Sequence, residues 1–486
     1  MRTLIHSARL VIPMDDARTR LEDGWVMVED DHIEHVGSGT LPAAVRLDRK
    51  IDAHGKVVLP GLVNTHHHLP QVLTRNVPRV QEAPLFQWLT ELYDVWRGFD
   101  QGAIDTAARV GLGELLLTGC TTTTDHLYLF PRGQERFIDT EIKAALALGI
   151  RFQPTRGSMS RGQSQGGLPP DDVCQDEETI LADSERLVRE FHDSRPRAMT
   201  RIALAPCAPF SVSQDLMRRT AEMARKHGVR LHTHLAETRD EDTYCQEVYG
   251  CRPTEFLRRL GWLGKDVWLA HCVCLDDEEI ALFAESGTAV AHCPSSNFRL
   301  GSGIAPVRKM LDTGVAVGLG VDGSASNDTS NMLAEARQAL LAHRPGAEPS
   351  AWLTAEDVLW MATRGGARCL GRDDIGSLER GKAADLILID VRRLSYAGAG
   401  SDLLAALVFS PFPEPVDTVM VNGKVVVEKG QLVGVDVEQL VERANAISTS
   451  LLRAAGKKTG KDYLKRPSSE GNSRAALRAR PRPDTP

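Results

Sequence analysis

A chain of 486 residues with 42% hydrophobic content can bury one large domain and a smaller companion. A formal net charge of -7 and an isoelectric point near 6.1 exclude a general nucleic-acid binder, whose footprint is basic, and point to a small-molecule partner. No segment approaches the roughly 20 uninterrupted apolar residues of a membrane span; the apolar stretch at 10–14 is too short for a secretory signal, and nine scattered cysteines fit reduced thiols, so a cytoplasmic location is expected.

Short alternating runs separated by turn signals, such as 25–30 and 56–59, read as strands of a small sheet. The same style returns at 384–390 and at 419–427, where Asn422-Gly423 is a hairpin turn. Residues 1–59 and 372–440 are therefore expected to form two halves of one β-sandwich domain. Between them, over 60–371, apolar runs at 201–205, 229–234, 267–271, 288–292 and 315–322 alternate with helical patterns, which predicts an α/β fold of the (β/α)8, TIM-barrel type. Such barrels carry their chemistry at the C-terminal ends of the strands, and all of these runs but the first end in His or Asp. A terminal helix is expected at 441–456. The stretch 457–486, with nine Lys or Arg against three acids, reads as a disordered basic tail.

The residues at those strand ends form a pattern. His66 and His68 follow the first barrel strand, two residues apart, so both imidazoles face one way and His67 the other. His234 ends a second run with Glu237 three residues later; His271 ends a third, and Asp322 a fourth. Three neutral imidazoles and a carboxylate suit Zn²⁺ or Fe²⁺ with a position left for water.

Taken in order, His-x-His after a strand, His-x-x-Glu, a lone strand-end His and Asp322-Gly323-Ser324-Ala325-Ser326 resemble the amidohydrolase superfamily, in its mononuclear deaminase and triazine-hydrolase branch. The resemblance implies His66, His68, His234 and Asp322 as metal ligands, and Glu237, His271 and Asp322 as catalytic groups. Binuclear members carry a bridging carboxylated lysine at the end of the fourth strand. Here that strand, 202–206, leads into Cys207-Ala208-Pro209-Phe210, so one divalent metal is expected, zinc or iron. The segments 64–68, 125–131, 155–160, 294–297 and 321–328 are similar to bacterial 8-oxoguanine deaminases.

The implied reaction is hydrolytic deamination of a nitrogen heterocycle by a metal-activated water. Asp322 takes a proton, His271 orients the water and Glu237 protonates the ring nitrogen. The first substrate expected is 8-oxoguanine, giving urate and ammonia; s-triazines, guanine or a pterin are the alternatives, and an inactive scaffold barrel is the alternative of another class. Gln71, Arg156 and His126 are substrate-binding candidates, Trp96 is expected in the core, and a homo-oligomer is expected. Two decoys stand aside. Gly376 to Lys382 mimics a phosphate loop but lacks its Ser or Thr and precedes a strand, and His32-Ile33-Glu34 lacks the cysteines of a cytidine-deaminase site.

Overall fold

The computed structural model describes residues 1–40, 46–410 and 414–467. In chain order the strands are β1 (Arg2–Val11), β2 (Leu21–Glu29), β3 (His32–Ser38), β4 (Arg49–Asp52), β5 (Lys56–Pro60) and β6 (Leu62–Asn64). Then come β7 (Cys120–Leu127), β8 (Arg151–Ser158), β9 (Ala203–Pro206), β10 (Arg230–Leu235), β11 (Val267–His271), β12 (Ala289–His292) and β13 (Val317–Leu319). The last are β14 (Leu386–Asp390), β15 (Thr418–Val421), β16 (Lys424–Glu428) and β17 (Gln431–Leu432).

Both chain ends join one sheet, in the order β17-β16-β15-β14-β5-β1-β2-β3 with β4 beside β1. The seam is the antiparallel pair β5 and β14, Lys56 opposite Asp390 and Pro60 opposite Leu386. The first half of β1 pairs with β4 and the second half with β5, so the sheet divides there. It closes over a core of its own that includes Ile5, Val26, Ile33, Leu386 and Met420. The expected hairpin joins β15 to β16 through Asn422 (φ 50°) and Gly423 (φ 77°). Gly423 is needed twice over, because a Cβ there would lie 1.8 Å from the carbonyl oxygen of Asp30. The phosphate-loop mimic is a turn entering β14, and the His32 mimic lies in β3, outside the barrel.

Strands β6 to β13 run parallel and close into an eight-stranded barrel. Every residue of β7 and β8 is buried, as expected of strands packed against helices outside and side chains inside. Two of the crossover helices start on side-chain caps of this kind: Asp100 accepts from the amide of Ala103, and Asp276 forms a capping box with Glu279. One helix departs from this outer ring. Leu85–Trp96, in the excursion after β6, buries Trp96 with its indole NH on Thr74 Oγ1 at 3.0 Å and turns Trp88 toward the barrel mouth.

The terminal helix is longer than expected, Val437–Thr459, and packs Leu451, Leu452 and Ala455 against Leu85–Trp96 and Gln101–Leu117. The start of the expected tail is also in place. Tyr463 is buried with its hydroxyl 3.2 Å from Asp94, and the Lys461 ammonium lies 3.0 Å from Asp94 and 3.1 Å from Glu91. Two acids on the helix face explain why these residues do not behave as a solvated tail; residues 468–486 lie outside the described residues. Among the described residues no helix is long and apolar enough to cross a membrane.

Candidate metal centre

Strand β6 stops at Asn64, so His66 and His68 stand in the extended segment just beyond it. Asn64 fastens that exit: its Nδ2 donates to Thr123 Oγ1 at 3.0 Å, and its Oδ1 accepts from the amide of Val321 at 2.9 Å. His66 and His68 face into the barrel, while His67 points out toward Ser330 Oγ at 3.1 Å. His234 lies in β10, His271 ends β11, and Asp322 follows β13.

These side chains converge. Asp322 Oδ1 lies 3.4 Å from His66 Nε2 and 3.3 Å from His68 Nε2, and the Nε2 atoms of His68 and His234 are 3.2 Å apart. Ligand-type atoms of His66, His234 and His271 fall within 4.8 Å of one another, as do those of His66, His68 and His126.

The hydrogen bonds assign protons to these rings. His68 Nδ1 donates to the carbonyl of His126 at 2.7 Å and His234 Nδ1 to that of Cys207 at 2.8 Å, which leaves each Nε2 a bare lone pair. Two bare nitrogens 3.2 Å apart, with the partnerless buried Nε2 of His66 beside them, repel unless a cation lies between. The site therefore fits a divalent metal. His271 differs. Its Nδ1 accepts from Asn297 Nδ2 at 3.0 Å, so its hydrogen sits on Nε2, 3.6 Å from Glu237 and 3.9 Å from Asp322. An Nε2–H is a donor and not a metal ligand.

Burial sets the charges. It pushes His68 down to about 4 and His271 to about 3, so both rings are neutral at physiological pH. Burial, with the charges of Asp322 and Glu241, raises Glu237 well above the ordinary carboxylate range. Burial alone would raise Asp322 as well, but the imidazoles of His66, His271 and His68 packed around it hold it well below that range. The backbone is bent to suit: Ala236 (φ 50°), His271 (φ 71°), Cys272 (φ 52°) and Asp322 (φ 61°) are left-handed, a strain of about 1–3 kcal/mol each that folds keep at functional sites.

The pocket above this layer spans about 430 Å³, counting the open solvent at its mouth. Asp322, His234 and Glu237 lie at its base, Trp88, Tyr93 and Phe210 in its wall, and Gln71 also lines it. Two substrate-binding candidates lie elsewhere. His126 is below the metal layer, with Nε2 on the carbonyl of Ala205 at 2.9 Å. Arg156 points out of the barrel: its Nε meets Asp183 at 2.8 Å, its Nη2 donates to Gln175 at 2.8 Å, and the guanidinium covers the Phe130 ring. Arg156→Gln is accordingly expected to cost roughly 1–3 kcal/mol by removing a buried guanidinium from Gln175 and from Asp183, which keeps Arg186 at 2.7 Å, read as a lower urea midpoint, with KM unchanged; a large rise in KM at unchanged stability would contradict this placement.

Sequence reasoning missed several supports. Glu241, buried one helical turn after Glu237, accepts from the amides of Ala236 (2.9 Å) and Glu237 (3.1 Å) and so fixes the turn that aims Glu237. Glu335 holds the amide and hydroxyl of Ser295 together with Asn327 Nδ2, tying the loops after β12 and β13. Their only signal in the sequence was an acid near a motif, which is common on any helix surface.

The family model described as the Amidohydrolase family matches residues 57–426. An 8-oxoguanine deaminase of Pseudomonas aeruginosa is 49% identical over 432 residues, 88% of this chain and 95% of its own. Hydroxydechloroatrazine ethylaminohydrolase of Pseudomonas sp. strain ADP is 36% identical over 461 residues, 92% of this chain and 95% of its own. Among solved structures, atrazine chlorohydrolase from Arthrobacter aurescens TC1 complexed with zinc superposes with a TM-score of 0.88 at 38% identity, covering 92% of this chain and 100% of that one.

Proposed function

Because the chain belongs to the amidohydrolase family and is a hydrolase of C–N bonds, we propose that it removes the amino group of a nitrogen heterocycle as ammonia, with 8-oxoguanine, converted to urate, as its substrate. The observation that supports the chemistry is the division of the imidazoles into bare Nε2 atoms on His66, His68 and His234 and a protonated Nε2 on His271. His66, His68, His234 and Asp322 hold one metal ion, zinc or iron. A single ion is favoured because β9 ends at Pro206 and leads into Cys207-Ala208, with no lysine to bridge a second. Nine free cysteines favour a reducing compartment, the cytoplasm.

Bound there, the ion supplies Lewis acidity that lowers the pKa of water from about 15.7 toward 7. Asp322, ionised inside its ring of imidazoles, accepts a proton from the attacking water. The Nε2–H of His271 points to the space between Glu237 and Asp322 and orients that oxygen. Glu237 enters protonated and gives its proton to the ring nitrogen beside the reacting carbon, making that carbon electrophilic. The proton held by Asp322 then passes to the amino nitrogen, the C–N bond breaks with its electron pair on nitrogen so that ammonia leaves, and the proton of the new hydroxyl returns to Glu237 as the ring carbonyl forms. Gln71, in the wall, pairs with the edge of the heterocycle.

The substrate assignment rests on the 49% identity across 88% of the chain. A triazine is the second reading, favoured by the TM-score of 0.88 to the triazine-acting structure. Ammonia release is to be compared for 8-oxoguanine, guanine, isocytosine and hydroxytriazines under one set of conditions. Urate from 8-oxoguanine is expected to form fastest; faster release from a hydroxytriazine would overturn the assignment, and release from none would overturn the reaction.

A further inference from the structure

Two histidines stand on one face of β10, and the chemistry above uses only His234. His232 lies one layer deeper, fully buried and outside the cavity, with its ring stacked on that of Trp268 at 4.4 Å. Its Nδ1 is 2.9 Å from the carbonyl oxygen of Trp268, and its Nε2 is 2.8 Å from Nδ1 of His66.

These two contacts have one consistent proton assignment. A carbonyl only accepts, so His232 Nδ1 carries a hydrogen, and in a neutral ring its Nε2 is then bare. The 2.8 Å contact is made by His66 Nδ1–H donating into that lone pair. His66 Nε2 is left bare in turn, and it is the atom that has no partner and lies 3.4 Å from Asp322. His68 and His234 reach the same state through backbone carbonyls, which no substitution removes. His66 depends on a side chain.

We propose that His232 is a positioning residue whose Nε2, fixed by the carbonyl of Trp268, holds His66 in the tautomer and orientation that bind the metal. This rests on the metal reading above. Partners of this kind are worth about 10- to 100-fold in metal affinity. The rival role, simple packing against Trp268, needs volume but no acceptor.

The test compares H232Q, whose amide oxygen can replace the Nε2 acceptor, with H232L, which fills the space without one. Zinc affinity is read by competition with a chromogenic chelator, and folding by the unfolding midpoint of the metal-free proteins. H232L is expected to bind zinc roughly 10- to 100-fold more weakly, while H232Q stays near the parent. Parent-like affinity in H232L, or equal losses in both at equal stability, would overturn the proposal. Should H232L fail to fold, H232N replaces it: its shorter amide reaches the Trp268 carbonyl but not His66, so it should bind weakly where H232Q does not, and equal affinities would overturn the proposal. A parent protein that takes up no zinc would overturn the metal reading itself, a result visible without any variant.

Discussion

Glu237→Gln lowers turnover by about 10² to 10⁴-fold, the usual worth of a general acid, while zinc content and KM stay near the parent values. Glutamine keeps the size and the hydrogen-bonding edge of the side chain and removes the transferable proton. Glu237 is not a metal ligand in this account, so the ion stays. The pH dependence has a definite sign. Burial, then the neighbouring charges of Asp322 and Glu241, raise the pKa of Glu237, so the protonated form the mechanism needs persists to higher pH than in an ordinary carboxyl and is lost as pH rises through that raised value. The parent enzyme therefore loses activity on its alkaline side. Steady-state kinetics with metal analysis checks this, and near-parental turnover in the variant would remove Glu237 from the mechanism.

Asp322→Asn has the larger effect, because Asp322 has two roles. In the proposed mechanism it is both a metal ligand, 3.3–3.4 Å from the two Nε2 atoms of His66 and His68, and the proton acceptor. The expected loss in turnover is roughly 10⁴-fold or more, the product of a missing base and a weakened metal site. The fold should tolerate the change: Asp322 sits at φ 61°, a conformation asparagine adopts readily, and the amide oxygen still accepts from the amide of Gly323, now 2.7 Å from Oδ1. Turnover close to the parent, or a parental zinc affinity, would contradict the dual role.

Much of the site was legible because barrel strands present polar residues only where chemistry or a tight network requires them. His66, His68, His234, His271 and Asp322 each interrupt or end an apolar run, and the structure brings them together. The Asn422-Gly423 hairpin was readable for a local reason, a turn that needs two positive φ values. Arg156 and His126 were misread because β7 and β8 are buried on both faces and carry polar residues on each, so their sequence shows neither which side a residue takes nor how deep it lies. Arg156 takes the outer side, against Asp183 on the helix Glu177–Phe191, and His126 takes the inner side a layer too low. Lys461 and Tyr463 were grouped with a basic tail because composition is blind to Glu91 and Asp94, some 370 residues away in sequence, which hold them. His232 stood in plain view beside His234. Its bond to His66 crosses the barrel, a pairing that only the closed fold creates.

The most direct test of the account is to strip the protein of metal, titrate it with Zn²⁺ and follow ammonia release from 8-oxoguanine. The account predicts no release from the stripped protein and a linear rise that levels off at one ion per chain. Full activity without metal, or a rise that continues to two ions per chain, would contradict it.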